Sequence, residues 1–541
     1  MFSFFCQKTF FIGAVSFACV LAATPGRGAA DPLPASDEKW RHYQSPNFEL
    51  YSRESDRESR ELLHNLELLR VVFCDTFKSP ERRRLEVTVY LFNREKDFQA
   101  YLPPTLSKKG DFTAYYSSRP DRALIVLGPT RDAEAAKQTI FHEYIHHLVW
   151  VSGENPPPWL NEGMAELFST VVAAGENVEL GRPVNGRLYQ MGLEKMIPLE
   201  HLFSVDRNSA EFSAGSHTGM FYAESWALMH YWMFGQSDIK ADQVDTFMRY
   251  ARWETPADEP KRRQRFVEIF GMDYSAMEKR LEHYTSGGRY TGRRIPRPKT
   301  APVASYETRP VPVAEARLRM AELAVQVKQS AQAKLVLLDA ASKNAADPRP
   351  REVLGSEALR GGDERAAREH WQQALDAGSR NPAIFRELGR METNAWMQQF
   401  DLYFRLPAEK TERLRDLLGK SIAYSPDQTD AYEMLAWVEA FSAQPSIRNV
   451  NLVQARFPML VNRAQTLLMF AIVRHHLGDN AAALAVLTDL DRMAPPQHVR
   501  YGAEALRAKI EGREMNWHPD PAEPAAQRTL QLTPVLPPKK P

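Results

Sequence analysis

The run Phe141-His142-Glu143-Tyr144-Ile145-His146-His147 constrains this chain more than any other stretch. Residues four apart on a helix lie one above the other. On a helix, His142 and His146 therefore present two imidazoles to one ion. Glu143 sits beside them, placed to take a proton from a metal-bound water. Three protein ligands leave a zinc ion's fourth position to water, which is the catalytic arrangement. The third ligand must come from elsewhere. Glu162, in Trp159-Leu160-Asn161-Glu162-Gly163-Met164-Ala165-Glu166, is the first candidate.

The flanks favour a helix. Arg131 to Ile140 is alanine-rich, without Gly or Pro, and Asp132 and Glu134 stand where a first turn favours acids. Ile140, Tyr144 and Leu148 recur at four-residue spacing, with Phe141, Ile145 and Val149 beside them, giving a stripe to bury. Ser152-Gly153 and Pro156-Pro157-Pro158 end the helix, and a second begins near Trp159. The competing reading is a helix whose histidines merely face solvent. His147 lies about 100° around the helix from His146 and so points away from the same ion. It reads as a partly exposed or hydrogen-bonded histidine.

His142-Glu143-x-x-His146 followed by Asn161-Glu162 resembles the gluzincin metallopeptidases, the thermolysin and zinc-aminopeptidase group, over Ala133 to Thr170. Trp159-Leu160-Asn161-Glu162-Gly163-x-Ala165 is especially similar to the aminopeptidase branch, and most like the smaller peptidase MA-like proteins. The resemblance implies Zn2+ held by His142, His146 and Glu162, with Glu143 as the base. It also implies that Asn161 and Glu166 back the ligands, Glu166 accepting a hydrogen bond from a zinc-bound imidazole. Only fifteen residues separate His146 from Glu162, fewer than in thermolysin or the large aminopeptidases. Glu166 therefore stands as runner-up ligand and Glu154 as a third choice. The Gly-x-Met-Glu-Asn stretch of the large aminopeptidases is missing upstream of His142. Aminopeptidases carry an oxyanion-stabilising tyrosine at the start of a later helix, which implies that role for Tyr222; a core aromatic is the alternative. In the thermolysin-like group the last strand before the active helix lies at the sheet edge and aligns substrate by strand addition. The resemblance gives that place to Ala123 to Gly128, against an ordinary core strand.

At 541 residues the chain is long enough for two or more domains, and a net charge of +1 points to neither nucleic acid nor a charged membrane surface. Residues 1–30 read as a secretory signal: Lys8, an apolar run Phe10 to Ala23 too short for a comfortable span, then Gly28-Ala29-Ala30 for cleavage. An uncleaved anchor is the alternative. No other segment is apolar enough to span a membrane. Cys6 and Cys19 leave with the signal, so Cys74 remains alone and forms no internal disulfide. The mature protein is expected to be exported and soluble, in a bacterial periplasm.

Asn47 to Tyr51, Leu85 to Phe92 and Asp121 to Leu127 read as strands, Glu54 to Phe77 as a long helix and Lys96 to Tyr101 as a short one. Val178-Glu179-Leu180 is a short strand, and Met196 to Phe203 a loop entering a short helix. Phe221 to Trp232 is apolar nearly all round, hence a buried helix. On it His230, like His217 before it, is a weak candidate, more simply a satisfied histidine. Residues 286–312, with Gly287-Gly288, Arg293-Arg294 and five prolines, read as an extended basic linker.

From Val313 a period of 34 appears. Met320, Leu354 and Leu388 share it, as do Ala321, Gly355 and Gly389, and the pairs Ala333 and Ala367, Leu337 and Trp371, Ala340 and Ala374, Pro348 and Pro382. Gly362-Asp363 recurs as Gly478-Asp479. This order of residues resembles tetratricopeptide repeats over 313–514. Residues 515–541 are proline-rich and expected to lack a fold.

The expectation is an α+β zincin-like metallopeptidase lobe over 31–285, then an all-α helical-repeat solenoid. Its substrate would be a protein or peptide, with a protein partner on the repeats. Two rivals are a repeat-based adaptor with a structural or vestigial peptidase lobe, and a metal-dependent hydrolase of some other bond.

Overall fold

The alternation in Asn47 to Tyr51 and the β-branched run after Leu85 both become strands of one sheet. The computed structural model describes residues 33–77, 85–104, 106, 113–118, 122–130, 132–152, 156–206, 209, 218–235, 259–288, 290, 292–299, 306–328, 331–397, 404–493 and 495–515. The expected signal segment 1–30, Glu154, His217 and the tail from 516 lie outside them. The chain divides into two compact units, Pro32–Ala345 with Ser356–Gly362, and Ala346–Gly355 with Asp363–Pro541.

The first unit has strands β1 (Arg41–Gln44), β2 (Phe48–Ser52), β3 (Glu86–Leu91), β4 (Ala114–Ser118), β5 (Arg122–Leu127), β6 (Val172–Ala174), β7 (Asn177–Leu180), β8 (Arg293–Pro296) and β9 (Glu307–Pro310). The main sheet has the order β4-β5-β3-β2-β1-β9, and β6-β7-β8 form a smaller one. Strands β2, β3 and β5 are parallel, while β4, β1 and β9 run antiparallel to their neighbours. Helix α1 (Asp56–Phe77) makes the crossover from β2 to β3, and α2 (Glu95–Gln99) follows β3. Then come α3 (Ala133–Val151), α4 (Pro158–Phe168), α5 (Asn185–Leu193), α6 (Leu199–Leu202), α7 (Thr218–His230) continuing as a π-turn, α8 (Glu259–Phe270), α9 (Tyr274–Ser286), α10 (Val313–Lys328) and α11 (Ala331–Lys343).

Two expectations differ from this arrangement. Strand β5 lies between β3 and β4, so Ala123 to Gly128 is not the sheet edge; the edge is β4, whose Ala114 pairs with Leu127. Five residues with two serines gave β4 little apolar signal. Among the described residues of 286–312, Arg293–Pro296 and Glu307–Pro310 are strands rather than linker: β9 completes the main sheet against β1 and β8 pairs with β7. The compact unit then runs on to Ala345.

Parallel strands are covered on both faces. On one face Phe48, Leu50, Val87, Val89 and Ile125 join Leu66 and Val72 of α1 and Tyr144 and Ile145 of α3 in a single apolar core. On the other, Glu49, Tyr51 and Tyr90 meet α10. The Tyr51 hydroxyl donates to Glu315 at 3.1 Å, Tyr90 donates to the Arg319 carbonyl at 3.5 Å, and Arg319 lies 3.8 Å from Glu49.

The second unit is helical: α12 (Arg349–Arg360) as far as Gly355, α13 (Glu364–Asp376), α14 (Pro382–Met397), α15 (Ala408–Tyr424), α16 (Thr429–Phe441), α17 (Ile447–Arg456), α18 (Arg463–His476), α19 (Asn480–Asp491) and α20 (Gln497–Glu511). The periodic positions are buried: Leu354, Ala367, Trp371, Ala374 and Leu388. A Cβ on Gly355 would lie 2.3 Å from the Trp371 ring, so only glycine admits this close approach. The Trp371 indole N–H donates to the Glu352 carbonyl at 3.0 Å. Among the described residues, no helix is long and apolar enough to cross a membrane.

Candidate metal centre

Asp132 caps α3, its carboxylate accepting from the Ala135 N–H at 2.9 Å. Ile140, Phe141, Tyr144, Ile145 and Leu148 bury one side of the helix. That leaves His142 and His146 together on another side, ring centroids 4.8 Å apart. Pro158 opens α4, where its missing N–H costs nothing. A Cβ on Gly163 would come within 2.6 Å of the Ser225 carbonyl oxygen, so α4 lies tight against α7. This packing fixes Glu162 and Glu166, one turn apart and both buried, against the histidines.

Three atoms converge. His142 Nε2 is 3.1 Å from His146 Nε2, Glu162 Oε2 is 3.2 Å from His142 Nε2, and Glu162 Oε2 is 3.3 Å from His146 Nε2. Tetrahedral zinc with bonds of about 2.0–2.1 Å sets its ligand atoms roughly 3.3 Å apart, so the triangle has the size of one tetrahedral face. Glu162 Oε2 is buried and meets no donor in hydrogen-bonding geometry among the described residues; it only ion-pairs with the two imidazoles at 3.2 and 3.3 Å, an arrangement a shared cation would bridge. Two imidazoles and a carboxylate are a zinc donor set, so the residues present fit that ion.

Glu166 stands behind this triangle. Its Oε1 lies 3.2 Å from His142 Nδ1, and Arg187 of α5 grips both its oxygens, Nη2 at 2.6 Å and Nε at 2.9 Å. Glu166 is thus turned toward the back of His142, while Glu162 faces both Nε2 atoms. Asn161 is half-buried next to Glu162, and its Oδ1 takes no hydrogen bond among the described residues; it does not join the triangle.

Without a cation the cluster is rich in negative charge. Burial pushes the His142 imidazolium down, but the carboxylates of Glu162 and Glu166 outweigh it and carry its pKa up to about 10. Burial likewise raises Glu162, yet the two imidazoles beside it bring it to about 2.

Tyr222 of α7 closes one side. Its ring centroid is 6.1 Å from that of His142, and the Arg187 guanidinium lies 5.1 Å from the same ring. Burial, with the charges of Glu162 and Glu143 adding, keeps its phenol protonated well beyond the usual tyrosine range. Glu143 is partly buried, and its charge also reaches Tyr116 of β4. His147 points elsewhere, as its place on the helix requires. It is buried, with Nδ1 2.7 Å from the Tyr116 hydroxyl. His230 is a satisfied buried histidine, 2.6 Å from the Tyr284 hydroxyl and 2.8 Å from the Gly181 carbonyl.

Arg187 and Tyr116 are the residues that sequence reasoning missed. Arg187 reaches a carboxylate 21 positions earlier from a helix that buries none of its residues, so no apolar period marks it. A scan of protein-family models finds no match to the chain, and a search of curated proteins finds no relative.

Proposed function

We propose that the chain is an exported zinc-dependent hydrolase of peptide bonds, gluzincin-like in its first unit and carrying tetratricopeptide-like helices in its second. The observation that carries this reading is the triangle of His142 Nε2, His146 Nε2 and Glu162 Oε2, with edges of 3.1–3.3 Å. The resemblance of the two motifs to gluzincins adds to it. A zinc ion bound there supplies a Lewis acid for the scissile carbonyl and acidifies water toward neutrality.

The chain's own groups do the rest. Glu143 accepts the proton that water loses and passes it to the leaving nitrogen, so that water and peptide become carboxylate and amine. Tyr222, held protonated, donates to the oxygen that gains charge in the transition state. Glu166 fixes His142 by accepting from Nδ1. The edge strand β4, bonded to α3 through Tyr116 and His147, offers its free backbone groups to an extended peptide. The helices of the second unit bind a protein, either the substrate or a tether.

The test begins with elemental analysis of the purified exported protein. Cleavage of a peptide library by wild type and Glu143→Gln follows. One zinc per chain, with activity reduced at least a hundredfold by the substitution, supports the reading. A Glu143→Gln protein as active as wild type sinks it, and zinc retained without cleavage of any peptide favours the adaptor instead.

A further inference from the structure

Arg187 reaches the metal centre from a helix that packs on α7 without burying any residue of its own. None of the nine residues of α5 is buried. Leu188 and Met191 pack partly against the core, while Tyr189 and Leu193 are 69% and 62% exposed. To this partly exposed apolar packing is added one strong polar contact. The Arg187 guanidinium meets both oxygens of Glu166, and the Glu166 side chain is 5% exposed against 29% for Arg187. A two-point Arg–carboxylate fork is directional, which a lysine ammonium is not.

The same Glu166 Oε1 lies 3.2 Å from His142 Nδ1. His142, Glu166 and Arg187 therefore form one chain of contacts from the triangle to α5. The Tyr222 ring stands between the two ends, 6.1 Å from the His142 ring and 5.1 Å from the guanidinium.

We infer that Arg187 is a positioning residue of the metal centre, orienting Glu166 against His142 and so linking metal occupancy to the docking of α5. The inference rests on the zinc reading above. With Nε2 committed to an ion, the His142 ring is fixed and its proton stays on Nδ1, a standing donor to Glu166. Glu166 is then held in the place where Arg187 needs it. An ion on Nε2 adds a restraint to the His142 ring, and the contacts of Nδ1 with Glu166 and of Glu166 with Arg187 carry that restraint to α5. An ion that binds the docked arrangement of α5 better than an undocked one shifts α5 toward the docked state.

The experiment follows amide hydrogen exchange in peptides covering Asn185–Leu193, using the full chain stripped of metal and then given zinc. In wild type, zinc slows α5 exchange several-fold, with the effect concentrated on α3, α4 and α5 rather than spread evenly. In Arg187→Met, zinc still binds, but α5 exchanges at one fast rate with and without it; Arg187→Lys is intermediate. Cobalt substituted for zinc gives a second readout: the visible bands of the Arg187→Met protein differ from wild type because His142 is less firmly oriented. Wild-type α5 exchange indifferent to zinc overturns the inference. So does an Arg187→Met protein with wild-type protection and a wild-type cobalt spectrum. Should Arg187→Met fail to fold, the wild-type arm and Glu166→Gln decide. Wild type that takes up no zinc is a different failure: it removes the zinc reading itself, and this inference with it.

Discussion

The Tyr116 hydroxyl lies 2.7 Å from His147 Nδ1, so the edge strand of the sheet is bonded to the residue next to His146. Burial, helped by the charge of Arg70, depresses the His147 pKa from 6.5 to about 3. The folded protein thus holds this ring neutral where the unfolded chain protonates it. The stability this contributes is complete above pH 6.5 and is lost as pH falls from 6.5 toward 3. Between pH 7 and pH 5 wild type should lose about 2 kcal/mol that His147→Gln does not lose. Urea titrations of both proteins at the two pH values measure the difference.

Glu162 and Glu166 should separate cleanly. Glu162→Gln removes the charged atom facing both imidazoles, and zinc should be lost to a mild chelator. Glu166→Gln removes only the acceptor behind His142, and affinity should fall by about 10–100-fold with the site still filled at saturating zinc. Chelator competition reads both constants.

Zinc binding should release protons. The metal-free His142 has its pKa raised to about 10, so at neutral pH a proton occupies the place a cation must take. Affinity should therefore rise with pH through the neutral range, about tenfold per unit for one proton displaced. Calorimetry in two buffers of different ionisation enthalpy counts the protons released.

Gly163→Ala should damage the centre without touching a ligand. The added Cβ would sit 2.6 Å from the Ser225 carbonyl oxygen, a backbone atom, so α4 must shift from α7. Overpacking of this kind costs about 1–3 kcal/mol. A lower melting temperature together with weaker zinc binding is the expected pair of results.

Arg319→Met should be costly because its charge lies among buried carboxylates. Arg319 is 3.0 Å from Glu322 and 3.8 Å from Glu49, and Glu322 is buried. Removing one partner of a buried network typically costs about 3–5 kcal/mol. Denaturant titration of the full chain tests it, and part of the loss should return as pH falls through about 7, the value to which burial raises the Glu322 pKa.

The sequence disclosed those parts of the centre that have a helical period or a motif. His142, His146 and Glu162 stand on two helices whose apolar stripes and proline boundaries were legible, and they converge. The strands at Phe48 and Glu86 were legible through alternation and β-branching. Strand β4 was not, because an edge strand of mixed polarity has no such pattern. Nor were β8 and β9, since Arg293-Arg294 and the prolines near them read as linker. Extended backbone satisfied by a distant strand leaves little trace in local composition. Arg187 was hidden for a related reason: its partner is defined only by the fold.

The Tyr51–Glu315 hydrogen bond joins positions 264 residues apart. Strands β1 and β2 are made early in synthesis, yet β9 and α10, which cover an edge and a face of their sheet, come only past residue 306. Until then the growing chain carries a bare strand edge and the polar face around Glu49 and Tyr90 with no lid. Closing so long a loop is slow, and an open edge invites pairing with other chains. A ribosome stalled before β9 should therefore hold an aggregation-prone nascent chain, with α3 and α4 already emerged but the sheet beneath them unfinished.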